Sequence, residues 1–315
     1  MSSISMSYTD EEPVIPNSLY ELRPCRYRTT KEAWKHLSDR DLHKGPPPSV
    51  VRIISWNVDY AEDDCIGRLE TVLEYLRCDI FGCANGKAPE PCCILLQEVH
   101  VEAFATILHD EWVKSHFVVT PSTTRKWPED AYYGNVTLIS RKVPVVFAGI
   151  LEFGCSGMQR TAVIVDVRMR VIESEGEDVL VRVVNTHLES LPAGTMARPR
   201  QLNIISKLLT EEKLHSGIVC GDMNAIMPED KRLPQQNGLR DAWRKGDENE
   251  SGFTWGYQGR DVGKFPAARL DKILFVPRRG LKVEEPAKIG VGVQTQEGKF
   301  ASDHFGLVTT VRVLR

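Results

Sequence analysis

From Val50 onward the chain alternates short apolar runs with polar punctuation. Val50-Val51-Arg52-Ile53-Ile54-Ser55-Trp56 and Cys93-Ile94-Leu95-Leu96-Gln97 have strand length and few polar interruptions, which suits buried strands. Between them, Ile66, Leu69, Val72, Leu73 and Leu76 fall at three- and four-residue steps, so 66–77 is predicted as a helix with one apolar face. A second helix is expected over 101–113, and Leu202, Ile204, Ile205, Leu208 and Leu209 mark another. Residues 133–141 and 145–153 predict strands joined at Pro144. Alternation over 161–170 and 179–185, around an acidic turn, predicts an antiparallel pair. Shorter strands are expected over 217–220, 270–276 and 305–313. Mixed strands and helices with frequent hairpins predict two mostly antiparallel or mixed sheets packed together, with helices outside.

Residues 1–48 lack a sustained period and close on Gly45-Pro46-Pro47-Pro48, a stiff spacer. They are expected to form a partly disordered arm before one domain over 49–315. Tyr20, Tyr27 and Trp34 leave two readings of the stretch 19–34: packing against the domain, or a weak interaction segment.

Composition narrows the partners. The 315 residues are 42% hydrophobic, enough for one large core or two modest ones. The formal net charge is −3, so a nucleic-acid partner would need a local basic stripe. Eight cysteines form no CxxC pair, and the start carries no secretory signal, which predicts reduced thiols in the cytosol or nucleus. No apolar stretch is long enough to span a bilayer, so no membrane partner is expected.

The candidate chemistry lies in polar fragments that end the apolar runs. Glu98 closes one run, where a strand would hold its carboxylate rigidly for a hard cation such as Mg²⁺. Asn57 and Asp59 lie two apart, on one side of a strand. Asp59 is placed to approach the metal directly or through water, and Asn57 to orient Glu98 or touch a phosphate. Asp222 could accept the proton of an attacking water that Asn224 fixes, although Gly221-Asp222-Met223-Asn224 alone also reads as a turn. His304 and His187 are candidate donors to phosphate oxygens, with Asp271 orienting His304 and Asp303 helping to hold metal or water. Arg198, Arg200, Lys264 and Arg269 could follow the phosphates of a strand, and Trp255 could stack a base.

Ser55-Trp56-Asn57-Val58-Asp59, Thr186-His187-Leu188-Glu189-Ser190, Asp241-Ala242-Trp243 with Phe253-Thr254-Trp255, Arg269-Leu270-Asp271 and Ser302-Asp303-His304 resemble the endonuclease/exonuclease/phosphatase superfamily over about 50–315. Within it, they resemble the members that act on tyrosyl-linked DNA. The resemblance implies a four-layer α/β sandwich like that of deoxyribonuclease I, with the site at one end of two sheets. It implies Mg²⁺, with Mn²⁺ as substitute, and hydrolysis of the bond between a DNA 5′ phosphate and a tyrosine oxygen, as in a trapped topoisomerase 2-type adduct, in DNA repair. Carried over, Glu98 and Asp59 take the metal, Asp222 and Asn224 handle water, and Asn57, His187 and His304 contact phosphate. Tyr133 and Trp255 match substrate-contacting aromatics, and Ser190 sits at a backbone contact. It further implies a monomer in nucleus or cytoplasm, a single-stranded end as preferred substrate, and RNA–protein links as a further one. Pro192 stands where the family often has Arg, and Leu270 replaces an aromatic, which bears on substrate choice. The rivals are an abasic-site endonuclease, an RNA nuclease or deadenylase, a phosphoinositide phosphatase, and a scaffold without turnover.

Overall fold

The computed structural model describes residues 15–38, 41–42, 45–172, 176–278 and 280–315. Two mixed sheets pack face to face. The first has seven strands, in the order Leu19–Glu21, Val145–Glu152, Thr161–Arg170, Asp178–His187, Ser216–Asp222, Asp271–Phe275 and Arg240–Asp241. The second runs Leu281–Val283, Gly306–Val313, Val50–Asn57, Cys92–His100, Tyr133–Ser140, Phe117–Thr120, Cys25–Arg28 and Ala33–His36. Ala287–Ile289 also pairs with Gly306–Val313. Each sheet contains one parallel pair: Asp178–His187 with Ser216–Asp222, and Val50–Asn57 with Cys92–His100. These four strands end on or beside Asn57, Glu98, His187 and Asp222.

Side-chain alternation explains the layers. In the first sheet Val163, Val165, Val181, Val183, Ile218 and Ile273 join the core shared with the second sheet. Their neighbours Ile164, Val184, Val219 and Leu274 pack with Leu202, Ile205 and Leu209 of the outer helix Ala197–Leu209. Burial on both faces is why the strand sequences read as nearly unbroken apolar runs. On the other side, helix Cys65–Tyr75 buries Leu69, Val72 and Leu73, and Asp64 caps it by accepting from Gly67 N at 3.1 Å.

Two expectations change, and a third feature was not among them. The helix expected over 101–113 is two helices, Phe104–His109 and Glu111–His116, separated at Asp110. Asp110 is extended and accepts from Val113 N at 2.8 Å, because a short carboxylate serves better as a cap than inside a helix. Within the arm expected over 1–48, residues 19–36 are folded against the domain, the packing alternative read for 19–34. Leu19–Glu21 pairs with Val145–Glu152, Cys25–Arg28 pairs with Phe117–Thr120, and Trp34 Nε1 donates to Leu108 O at 3.0 Å. Strands of three or four residues carry no measurable period, so the pairing could not be read from them. Residues 1–14 lie outside the described residues. Finally, the two sheets are joined by polar groups as well as apolar ones. Asn185 Nδ2 donates to Leu96 O at 3.1 Å and Val136 O at 3.0 Å, and Gln97 Nε2 donates to Asn185 Oδ1 at 2.7 Å.

Candidate active site

The strand Cys92–His100 carries a register shift between Leu96 and Val99, and Glu98 within it has φ 59°. A bulge of this kind re-aims a side chain, here into the site. Glu98 Oε1 accepts from Asn57 Nδ2 at 3.0 Å and Oε2 accepts from Tyr60 N at 3.1 Å. Asp59 (φ 52°) and Asn224 (φ 47°) share the left-handed backbone. Three such residues converging in one pocket are strain that the surrounding fold must hold in place.

Asp59 is firmly engaged. Its Oδ1 accepts from Ala61 N at 3.0 Å and its Oδ2 from Arg68 Nη2 at 3.0 Å. Arg68 is 1% exposed and also donates to Asp59 O and Val58 O. Asp222 Oδ1 accepts from Asn224 N at 2.8 Å, while Oδ2 faces Asn57 Nδ2 at 3.2 Å, His187 Nε2 at 3.4 Å and His304 Nε2 at 3.8 Å. Asn224 also donates from Nδ2 to Leu188 O at 3.0 Å. Gly221 before Asp222 is forced: a Cβ there would lie 1.8 Å from Thr186 O on the paired strand.

The two histidines are held in different states. Arg160 Nη1 donates to His187 Nδ1 at 2.8 Å, so the imidazole proton sits on Nε2, toward Asp222. Burial, then Arg160 and His304, keep His187 well below its ordinary pKa and therefore neutral. His304 Nδ1 lies 2.8 Å from Asp271 Oδ2. Burial opposes its charge, but Asp271, Asp303 and Asp222 outweigh burial and hold the imidazolium well above the usual range. Asp303 in turn accepts from Trp255 Nε1 at 2.9 Å.

Burial pushes Glu98 up to about 7, against the pull of Arg160 and Asn57. Burial likewise raises Asp222 to about 6, against His304. Asp59 is raised by burial and by neighbouring Asp303. His187 Nε2 and Asp303 Oδ1 are buried without a hydrogen-bond partner. Buried carboxylates held back from ionising are groups that a bound cation would stabilise in the charged form. The donor set fits a hard divalent one: the available ligands are carboxylate oxygens. Glu98, His187 and Asp222 place donor atoms within 4.8 Å of one another, but His187 presents N–H on the site side and so acts as a donor rather than a ligand. Glu98 is the natural holder. Asp59, whose Oδ2 is already neutralised by the buried Arg68 guanidinium at 3.0 Å, is suited to act through water.

The cleft above this centre has a volume of about 900 Å³ and is lined by Tyr133, Ser190, Trp255 and Arg269 among the expected substrate residues. Tyr133 stacks on Tyr60 with ring centroids 3.9 Å apart. Arg160 ties Tyr133 Oη (2.9 Å) and Ser190 Oγ (2.7 Å) to His187. Arg160, Arg68 and Tyr60 were not anticipated from the sequence. Two of the expected phosphate-path residues are corrected. Arg198 is fully buried, on Asp230 and the Glu189 and Leu191 carbonyls. Arg269 lines the cleft but spends its guanidinium on Asp241 and Asp247. Arg200 is exposed, and exposed Lys264 pairs with Asp261 at 3.2 Å; neither lines the cleft.

Two packed mixed sheets, with carboxylates and histidines gathered at one end, define a class before they define a substrate. Residues 54–304 match the model of the Endonuclease/Exonuclease/phosphatase family, and the chain belongs to that family, with the chemistry of a phosphodiesterase hydrolase. Among individual proteins, the chain is 24% identical over 276 residues to tyrosyl-DNA phosphodiesterase 2 of Rattus norvegicus, covering 84% of this chain and 68% of that one. Its fold resembles D. rerio TDP2 complexed with single strand DNA product, with TM-score 0.65 and 20% identity over 84% of this chain and 100% of the other. Truncated Caenorhabditis elegans TDP2 gives TM-score 0.63 and 22% identity, over 84% and 98%.

Proposed function

We propose that this protein hydrolyses the 5′-phosphotyrosyl bond joining a DNA end to a trapped protein, in a Mg²⁺- or Mn²⁺-dependent reaction of DNA repair. The observation that carries it is the ring of nitrogens around Asp222: Asn57 Nδ2, His187 Nε2 and His304 Nε2 lie 3.2, 3.4 and 3.8 Å from one carboxylate oxygen, and His187 Nε2 has no hydrogen-bond partner among the described residues. A phosphate oxygen entering there would meet a neutral N–H donor, a cationic donor and an amide. Asp222, with its pKa near 6, is suited to take a proton from water near neutral pH. Glu98 would hold the cation, which when bound would polarise the phosphate as a Lewis acid. A tyrosine leaves as a phenolate of pKa about 10, so a strong general acid is dispensable. Aromatic Tyr133 and Trp255 line the cleft, with ring centroids 6.4 Å from His187 and 6.5 Å from His304 respectively. The relatives named above support the tyrosyl-DNA substrate. Nuclear or cytoplasmic residence, a monomeric state and a preference for a single-stranded end belong to the same reading.

The test is cleavage of a 5′-phosphotyrosyl single-stranded oligonucleotide with Mg²⁺, beside a 3′-phosphotyrosyl strand and an abasic duplex, for wild type and Asp222→Asn. Release of a 5′-phosphate end from the first substrate only, lost in the variant, is expected. Cleavage of the abasic duplex alone would move the substrate while keeping the chemistry.

One observation favours a second reading within the family, a short substrate. Of the four lysine and arginine side chains in the cleft, Lys231, Arg260 and Arg269 are engaged by Glu248, by Asp59 and Asp261, and by Asp241 and Asp247, and Arg160 is committed to His187, Tyr133 and Ser190. The rim offers apolar Leu191, Pro192 and Ile226 instead. If a phosphotyrosyl mononucleotide is cut as efficiently as a long strand, the strand beyond the first nucleotide contributes nothing.

A further inference from the structure

Away from the catalytic cleft, Cys65, His100 and Glu102 bring a sulfur, an imidazole nitrogen and a carboxylate oxygen within 4.8 Å of one another. Cys65 is the first residue of helix Cys65–Tyr75, and His100 is the last of strand Cys92–His100. Cys65 Sγ lies 3.5 Å from His100 Nδ1. Tetrahedral zinc, with metal–sulfur about 2.3 Å and metal–nitrogen about 2.0 Å, separates its sulfur and nitrogen ligands by about 3.5 Å. The two donors are therefore already at ligand spacing. Cys65 and His100 are half-buried and Glu102 is exposed, so the carboxylate is free to close from the solvent side and water to complete the shell.

We propose that Cys65, His100 and Glu102 form a second metal site, for a borderline-soft divalent cation with Zn²⁺ foremost. Thiolate with imidazole discriminates against Mg²⁺, which the oxygen-only catalytic centre prefers, so the two sites take different ions. Binding releases the Cys65 thiol proton to solvent. It also replaces one existing contact, the donation of Glu102 N to His100 Nδ1 at 3.2 Å. The site is placed to matter. Helix Cys65–Tyr75 supplies Arg68 to Asp59, and the strand ending at His100 carries Glu98. An ion clamping these two elements would brace both carboxylates from behind.

The experiment is titration of the full chain with Co²⁺ in excess Mg²⁺, which keeps the oxygen site filled, followed by displacement with Zn²⁺. Wild type is expected to show thiolate-to-cobalt charge-transfer absorption at one equivalent. Cys65→Ser should abolish the band, and His100→Gln and the exposed Glu102→Gln should each weaken Zn²⁺ binding at least tenfold. Circular dichroism of each variant checks folding, and Glu102→Gln keeps the test open should either of the other two fail it. No band in wild type, or a band that survives Cys65→Ser, overturns the site and leaves the 3.5 Å contact as a thiol–imidazole hydrogen bond.

Discussion

Arg160 reaches His187 Nδ1 at 2.8 Å and thereby decides which nitrogen of that ring carries the proton. With Nδ1 accepting, the ring proton is on Nε2, which lies 3.4 Å from Asp222 Oδ2 and makes no hydrogen bond there, leaving it free to donate to a substrate oxygen. A guanidinium shared with Tyr133 and Ser190 thus sets the donor on which charge stabilisation depends.

Arg160→Ala should lower kcat about 10²–10³-fold, the usual cost of one lost donor to a developing charge. KM should change less. Arg160→Lys should recover little, since one ammonium cannot span Tyr133, His187 and Ser190 together. Steady-state kinetics decide it: a near-normal kcat for Arg160→Ala would remove His187 from the reaction.

Glu98 gives a stability prediction with a definite sign. Its pKa is raised in the fold to about 7, from about 4.3 unfolded. The folded, metal-free protein therefore binds the extra proton, and the cost of ionising Glu98 is absent at low pH and complete above about 7. Metal-free Glu98→Gln should be more stable than wild type at pH 8, by a few kcal/mol at most, with the advantage shrinking toward pH 4.5. Added Mg²⁺ should stabilise wild type and not the variant. Urea unfolding at several pH values reads both, and equal pH slopes for the two proteins would refute the assignment.

Gly221→Ala should destabilise by at least ~3 kcal/mol, because its Cβ would sit 1.8 Å from Thr186 O in a parallel pair that cannot part without breaking the core. A loss under 1 kcal/mol in chemical denaturation would mean that the two strands relax apart at this point.

Glu189 positions the loop that presents Arg160. Its carboxylate accepts from Ser156 Oγ at 2.6 Å and Gly157 N at 2.8 Å, and Ser156 Oγ accepts from Arg160 N at 2.8 Å. Glu189→Gln should cost roughly tenfold in kcat, within the range of other supporting-shell losses. The drop should be mostly absent when the same change is made in Arg160→Ala. Additive losses in that double-mutant cycle would place Glu189 on a separate path.

Much of this was legible in sequence because burial on two faces leaves long apolar runs, and strand ends then mark where Asn57, Glu98, His187, Asp222 and His304 sit. The antiparallel pair over Thr161–Arg170 and Asp178–His187 was readable for a related reason, alternation around a turn. The arginines were not. Arg160 lies in a loop, where its residue type suggests only surface. Arg198 and Arg269 read as candidate phosphate contacts in sequence because their partners Asp230, Asp241 and Asp247 lie 22–32 residues away and meet them only in the fold. Arg68 did leave a trace: it sits four residues before Val72, on the apolar face of its helix, where a charge must have a buried partner.

The segment 19–36 pairs with the outer edges of both sheets: Leu19–Glu21 lies along one, and Cys25–Arg28 along the other. Only Leu22, Arg23 and Pro24 pass between them, so this segment works as a clasp across the open side of the sandwich. Removing residues 1–48 would bare Val145–Glu152 and Phe117–Thr120 in one cut. Such a shortened chain would keep every catalytic group and still present two unpaired β-edges to its neighbours, an invitation to aggregate rather than to lose chemistry.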